Sequence, residues 1–462
     1  MNRKSFFYVI KYCLILVIFL NLNIGINAQK KPNGKAKKLA ADAEKLFNQK
    51  DYRNAAAKYA EAITISPNYP AAHFWKGYAH YYLNEYDLAL DDLDKALEQG
   101  YTPLEVYKIR WYVNAQKKNY DAAQADIQRV LQADPNNANL LLGLGDIYRA
   151  QGSNQEAINA YRKVLEIDPN NADVNYFLAT SYHNLGDYNS QGAAAEQAIK
   201  GNTKFIAEAF YLAGDSNQKA NNFDKAIENY ERALNLKPDN AEIYNNLTDL
   251  YRRQNRFNDA IELTKKRLAL FPNDGNLYTS LSWYYSLADR HNDAVIAAQQ
   301  AIKLLPDQYL GYTSICRALN DTKQYQAAIQ ACNNALKLNP NDGESSFYIA
   351  RAYDLMNKPD TATEYYKKAV AGLEQVTVKN PDDSDKFYLL GNAYYADGQR
   401  DKAIEAYKKS LSLSPNFAKA HYNLGYIYFL NNDLNSANEQ YNALQKIDAN
   451  LAAKFKQAIE KK

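Results

Sequence analysis

Residues Ala138–Asn171 read ANLLLGLGDIYRAQGSNQEAINAYRKVLEIDPNN, and this stretch decides the fold. Its Ala157 belongs to a series spaced by 34 residues: Ala55, Ala89, Ala123 and Ala157, resuming after one gap as Ala226, Ala260, Ala294, Ala328 and Ala362. A fixed 34-residue period marks a helix-turn-helix array, because one helical hairpin cannot bury its apolar face alone and must stack on its neighbours. Units starting at Ala36, Pro70, Leu104, Ala138, Ala172, Ala207, Ala241, Gly275, Tyr309, Gly343, Ser384 and Ala418 place alanine twentieth in all but one, where Gln191 stands. The eighth place is small throughout, as in Gly145, except for Trp111, and small residues let paired helices approach closely. Prolines such as Pro135, Pro169 and Pro340 close the units, since proline cannot continue a helix. Asn137, Asn171, Asn240, Asp274 and Asp342 follow two residues later as N-caps of the next helix.

Leu144, Gly145, Tyr148, Ala157, Tyr161 and Pro169 resemble the tetratricopeptide repeat pattern, and the resemblance extends over roughly Ala36–Asn450. It implies an all-α solenoid of about twelve repeats, wound as a right-handed superhelix whose first helices line a concave groove for other proteins. The second, fifth, ninth, twelfth and thirteenth places of each unit are then the inward ones. They carry Phe74, Tyr78, Tyr81, Tyr82 and Tyr112 near the N-terminus. Toward the C-terminus they carry Phe347, Tyr388, Asn392, Tyr395, Tyr422, Asn423, Tyr426 and Phe429. Between these lie acids at Glu208, Asp215, Glu242 and Asp249 and bases at Arg252, Arg253, Arg317 and Arg351. Tyrosine gives large contact area with a polar tip, and the amides of Asn392 and Asn423 suit a peptide backbone, so the two aromatic clusters are the candidate partner sites. The opposing reading is packing, because the chain holds 40 tyrosines.

The 462-residue chain opens with Arg3, Lys4 and Lys11 before an apolar run from Cys13 to Leu20, then Ile26-Asn27-Ala28. Residues 1–28 read as a secretory signal, the run being shorter than the roughly 20 residues a spanning helix needs. Retention as an inner-membrane anchor is the alternative. Cleavage removes three basic and no acidic side chains from a chain of 55 basic and 52 acidic ones, leaving it formally neutral, which gives no indication of nucleic-acid binding. Residues 29–35 form a basic, disordered lead-in, for which peripheral attraction to anionic lipid is a second reading. Repeats one to five span 36–206, repeats six to twelve 207–450, and a capping helix 451–462. The fifth repeat, with Gln191, Gly192 and Gly201, reads as a hinge or a degenerate unit. Seven extra residues across Glu374–Pro381 lengthen one second helix, preserving the facing of the later repeats.

Nothing in the sequence clusters as a catalytic set. His73 and His80 share a face at packing places and read as core residues, not metal ligands. Asp91-Asp92-Leu93-Asp94 reads as a solvated face, and Asp382–Asp385 as an N-cap cluster without the glycine turn and distal glutamate of a calcium loop. Cys316 and Cys332 occupy the eighth and twenty-fourth places of one unit, where paired helices face each other. A disulfide and a reduced pair are both open, since export favours oxidation but the geometry is not in the sequence. The expectation is a non-enzymatic, cofactor-free scaffold of the bacterial cell envelope, periplasmic or outer-membrane-associated, that binds a protein or peptide. A carbohydrate-binding protein with groove tyrosines stacked on sugar rings is the alternative.

Overall fold

The computed structural model describes residues 31–460, in which all regular structure is helical. Two compact units divide at Pro169 and Asn170. The first holds α1 (Gly34–Asn48) with α2 (Tyr52–Ile65), α3 (Pro70–Tyr82) with α4 (Tyr86–Glu98), α5 (Pro103–Gln116) with α6 (Tyr120–Ala133), and α7 (Ala138–Gln151) with α8 (Asn154–Ile167). The second begins with α9 (Ala172–Leu185) and α10 (Tyr188–Lys200), α11 (Ile206–Lys219) and α12 (Phe223–Leu236), α13 (Ala241–Arg253) and α14 (Phe257–Leu270), and α15 (Gly275–Leu287) and α16 (His291–Leu304). It continues with α17 (Tyr309–Asp321) and α18 (Tyr325–Leu338), α19 (Gly343–Leu355) and α20 (Pro359–Lys379), α21 (Ser384–Ala396) and α22 (Arg400–Leu413), α23 (Ala418–Leu430) and α24 (Leu434–Ile447), and α25 (Ala449–Glu460). The described helices therefore pair into twelve hairpins, and α25 follows the last.

The hairpins are made by local chemistry. Asn137, Asn171, Asn240, Asp274 and Asp342 each accept a hydrogen bond from a first-turn amide, satisfying donors the helix itself cannot. Between the two helices of every hairpin the chain passes through one left-handed residue, such as Asn84, Gly152, Asn255 or Gly398, which ends the first helix and turns the chain back. The recurring alanines Ala55, Ala89, Ala123, Ala157, Ala226, Ala260, Ala294 and Ala328 are fully buried. Glycine at the eighth place meets tyrosine at the twenty-fourth: a Cβ on Gly391 would lie 2.6 Å from the Tyr407 ring, which is itself buried. Trp111 breaks the small-residue rule because Gly143 on α7 makes room, a Cβ there falling 2.7 Å from the indole.

Several expected boundaries move. The signal assigned to residues 1–28 lies outside the described residues. The lead-in assigned to 29–35 is helical from Gly34, because the Asn33 side chain caps the Lys35 amide and Ala36 is already buried. The terminal helix starts at Ala449 instead of 451 and sets Ala452 and Phe455 into a cluster with Ala418 and Leu444. The long second helix is α20, of 21 residues, which takes in Glu374 and ends at Lys379, two residues before Pro381.

The division between the two units falls at the start of the fifth repeat, between Pro169 and Asn170. Gln191 is fully buried and donates to the Leu212 carbonyl at 2.8 Å and to Asp215 at 2.9 Å, so a polar contact holds α10 to α11 where alanine packing would otherwise do so. His183 joins this group 3.1 Å from Asp215, which holds the imidazole above its usual range. The missing proline is replaced by Thr203, which donates to Asp173 at 2.6 Å, and by Phe205, stacked 4.5 Å from Tyr176.

Candidate functional site

Of the N-terminal candidates, Phe74 and Tyr78 are only 4% and 8% exposed and belong to the core of their own unit. Phe74 stacks on Tyr101 at 4.6 Å, and the Tyr78 ring lies 5.3 Å from Phe47. Their rings pack against Tyr101 and Phe47, so only a small edge of each stays exposed. Tyr81 and Tyr112 are half-buried, with ring centroids 6.3 Å apart. The acidic run on α4 also differs from a solvated face: Asp92 is 2% exposed and takes a hydrogen bond from His73 at 3.0 Å and an ion pair from Lys76 at 3.1 Å. His73 and His80 are thus buried partners of carboxylates, and among the described residues no group of three His, Cys, Asp or Glu is placed to hold a metal ion.

The C-terminal candidates converge. The second unit forms an open-sided cavity of about 1170 Å³ lined mainly by the first helices α15, α17, α19, α21 and α23. Tyr388, Asn392, Tyr395, Asn423 and Tyr426 all line it, together with Trp283 and Phe347. Tyr422 does not; it is half-buried, with its ring edge-on to Phe455 of α25 at 5.6 Å. The two amides are engaged with each other: Asn392 Oδ1 accepts from Asn423 Nδ2 at 2.8 Å and from the Tyr407 hydroxyl at 2.6 Å. These bonds tie Asn392 Oδ1 and Asn423 Nδ2 to the tyrosine wall.

Across the cavity runs a buried charge chain. Arg317, 5% exposed, sits over the Trp283 ring at 4.3 Å and donates to Glu344 Oε1 at 2.6 Å. Lys386 donates to the other carboxylate oxygen at 2.9 Å. Burial alone pushes Glu344 up, but the two cations overcome it and hold the carboxyl down to about 2. Arg351 pairs with Asp321 at 3.0 Å on the same wall. Trp283, Glu344 and Lys386 were not singled out from the sequence. Trp283 is at a ninth place and Glu344 at a second, so their inward direction was readable, but their pairing was not.

The array also touches itself. Arg252, at the end of α13, donates to Asp385 at 2.7 Å and to Asp249 at 2.6 Å, so the acidic and basic zones meet at Asp249 and Arg252. Arg253 reaches the Leu413 carbonyl at 3.4 Å, Asn255 donates to the Asn416 carbonyl, and Asn416 donates back to Gln254 at 2.8 Å. Lys419 lies 3.4 Å from Asp289. These contacts join residues 130 to 162 apart in sequence and close one side of the cavity. Behind its wall, Cys316 and Cys332 form a disulfide with their Cα atoms 5.3 Å apart, linking α17 to α18 where other hairpins place glycine against tyrosine.

Known proteins share this repeat. A family model described as TPR repeat matches residues 145–186, 214–255 and 391–432. Two described as Tetratricopeptide repeat match 42–101, and 172–201, 312–342 and 418–451. U-box domain-containing protein 70 of Oryza sativa subsp. japonica is 34% identical over 116 residues, and Hsp70-Hsp90 organizing protein 2 of Arabidopsis thaliana is 32% identical over 99. These alignments take in 24% and 21% of this chain but only 14% and 17% of those proteins. Among solved structures, a tetratricopeptide repeat protein from Parabacteroides merdae superposes with a TM-score of 0.44 at 16% identity, covering 55% of this chain and 98% of that one. Yeast Tom70 does so at 0.37 and 15%, covering 92% and 100%. Taken together, the matched segments cover more than half of the chain, which belongs to the tetratricopeptide repeat family.

Proposed function

We propose that the chain is a non-catalytic scaffold whose second unit binds a protein or peptide partner in its cavity. The observation that carries this reading is the convergence of Tyr388, Tyr395, Tyr426, Trp283 and Phe347 on one concave wall, with fixed charges between them. Rigid aromatic rings in a concave, partly desolvated site are where binding energy concentrates. Photo-crosslinking from p-benzoylphenylalanine in place of Phe347, in intact cells, is expected to yield a protein adduct. Tyr395→Ala with Tyr426→Ala is expected to cut that adduct at least tenfold at unchanged helicity, each lost anchor being worth about 2 kcal/mol. Crosslinking unaffected by the pair removes this wall from the site, and an adduct with glycan instead of protein favours the carbohydrate reading.

The proposed place of action is the cell envelope, reached through a cleaved signal in residues 1–28. The disulfide supports this, because such bonds persist in oxidising compartments. No described helix is long and apolar enough to cross a membrane. Protein isolated from the envelope under thiol blocking is expected to begin at Gln29 and, once denatured without reduction, to show no free thiol. A chain beginning at Met1 would overturn cleavage, and two titratable thiols would overturn the oxidised pair.

A further inference from the structure

The self-contact of the second unit is made differently from every neighbouring-repeat contact. Adjacent hairpins interlock through buried alanines and aromatic rings, whereas α13 and α21 meet through side chains of one short segment, Arg252–Asn255. The apolar seal is small: Phe257 and Leu287 on one side and Phe417 on the other, around a void of about 10 Å³. Charge pairs and amide–carbonyl bonds supply the rest, and one of them, Lys419 with Asp289, is solvent-exposed. A contact this thin and polar resembles a transient interface more than a core, and opening it exposes little apolar surface. The repeats between its two ends need only small rotations each to separate them, since a solenoid accumulates curvature unit by unit.

The closing segment is also coupled to the cavity. Asp385, which receives Arg252, is followed by Lys386, which holds Glu344 in the cavity wall. Both lie in the first turn of α21, whose cap is Asp383. Whatever displaces Lys386 from Glu344 acts on the same helical turn that holds the contact shut.

We propose that this contact is a latch: the second unit exchanges between the closed ring and an open form in which Arg252–Asn255 have left α21 and the α22–α23 turn, and the partner enters from the open form. The entry step rests on the function proposed above; the opening does not. The partner selected is accordingly one that binds a widened groove, and its on-rate follows the open population.

The test uses the full chain without a partner. Spin labels attached to p-acetylphenylalanine at Asn258 and Ser412, both exposed, report the distance across the latch by pulsed electron resonance. In low salt a single narrow distance is expected. In Arg252→Gln with Asp385→Asn, which removes the pair and leaves Asp249 bonded to Arg253 at 2.6 Å, a second, longer population is expected. Unsubstituted protein in about 1 M NaCl is expected to move the same way but less, because salt screens the exposed Lys419–Asp289 pair strongly and the buried Arg252–Asp385 pair little. One unchanged narrow distance under all three conditions overturns the latch. If the double variant fails to fold by circular dichroism, the salt series decides alone. A latch that opens while crosslinking from the cavity yields no protein adduct leaves the latch standing and removes only the binding site.

Discussion

Arg317→Met is expected to destabilise the second unit by about 3 to 5 kcal/mol, the loss typical when one partner of a buried ion pair is deleted and the other charge remains. Glu344 is 8% exposed and divides its two oxygens between Arg317 and Lys386, so the methionine leaves a buried carboxylate with one cation in place of two. The contact of the guanidinium with the Trp283 ring is lost as well. The pH dependence carries the sign. Glu344 is held down to about 2 in the folded protein, below its ordinary value of 4.5. The stabilisation is therefore complete above about pH 4.5 and disappears as pH falls toward 2. In the variant this acid loss begins at higher pH, because one of the two cations holding the carboxyl down is gone. Urea unfolding followed between pH 3 and pH 7 checks both parts. A loss below about 1 kcal/mol with an unchanged pH profile would falsify the account of Arg317 as the charge that keeps Glu344 ionised.

Gly343→Ala is expected to cost about 3 kcal/mol even though alanine is the better helix former. A Cβ on Gly343 would lie 2.5 Å from the Leu373 amide nitrogen and 2.8 Å from the Ala369 carbonyl oxygen. A Cβ on Gly372, opposite, would lie 2.7 Å from the Cα of Gly343. These are backbone atoms, which no side-chain rotation moves aside, so α19 and α20 must part along the buried hairpin that carries Phe347 and Glu344. Overpacking costs about 1 to 3 kcal/mol and at times more, against a propensity gain of at most about 1 kcal/mol, so the clash wins. Gly34→Ala is the control, since nothing lies within 4 Å of its Cβ position and the substitution there is expected to be neutral or slightly stabilising. Thermal melts of the two variants separate the effects, and equal melting temperatures would refute the close approach.

Much of this fold is legible without coordinates because its rules act over one hairpin. The caps at Asn137, Asn171, Asn240, Asp274 and Asp342 and the facing of Cys316 and Cys332 follow from spacing within 34 residues. Exceptions were harder to interpret. Gln191 reads as a defect on the alanine rule, yet its amide fills a buried hydrogen-bond site that only the positions of Leu212 and Asp215 reveal. Asp92 reads as solvated on its run of acids, and only α3 packed against it supplies His73 and Lys76.

The candidate site was half legible for the same reason. Inward places could be counted from the repeat, and six of the eight C-terminal residues chosen that way do line one cavity. Counting could not separate an inward ring that faces the cavity from one packed on its neighbour, as Phe74 is on Tyr101 and Tyr422 on Phe455. The sequence by itself determined the repeating hairpin, its caps and its packing alanines, because each depends on residues within one turn or one repeat. The tertiary structure alone decided the charge chain through Glu344, the pairing of Asn392 with Asn423 and the closure from Arg252 to Asp385. Those contacts depend on the summed rotation of successive repeats, a small angle per unit that no residue spacing encodes.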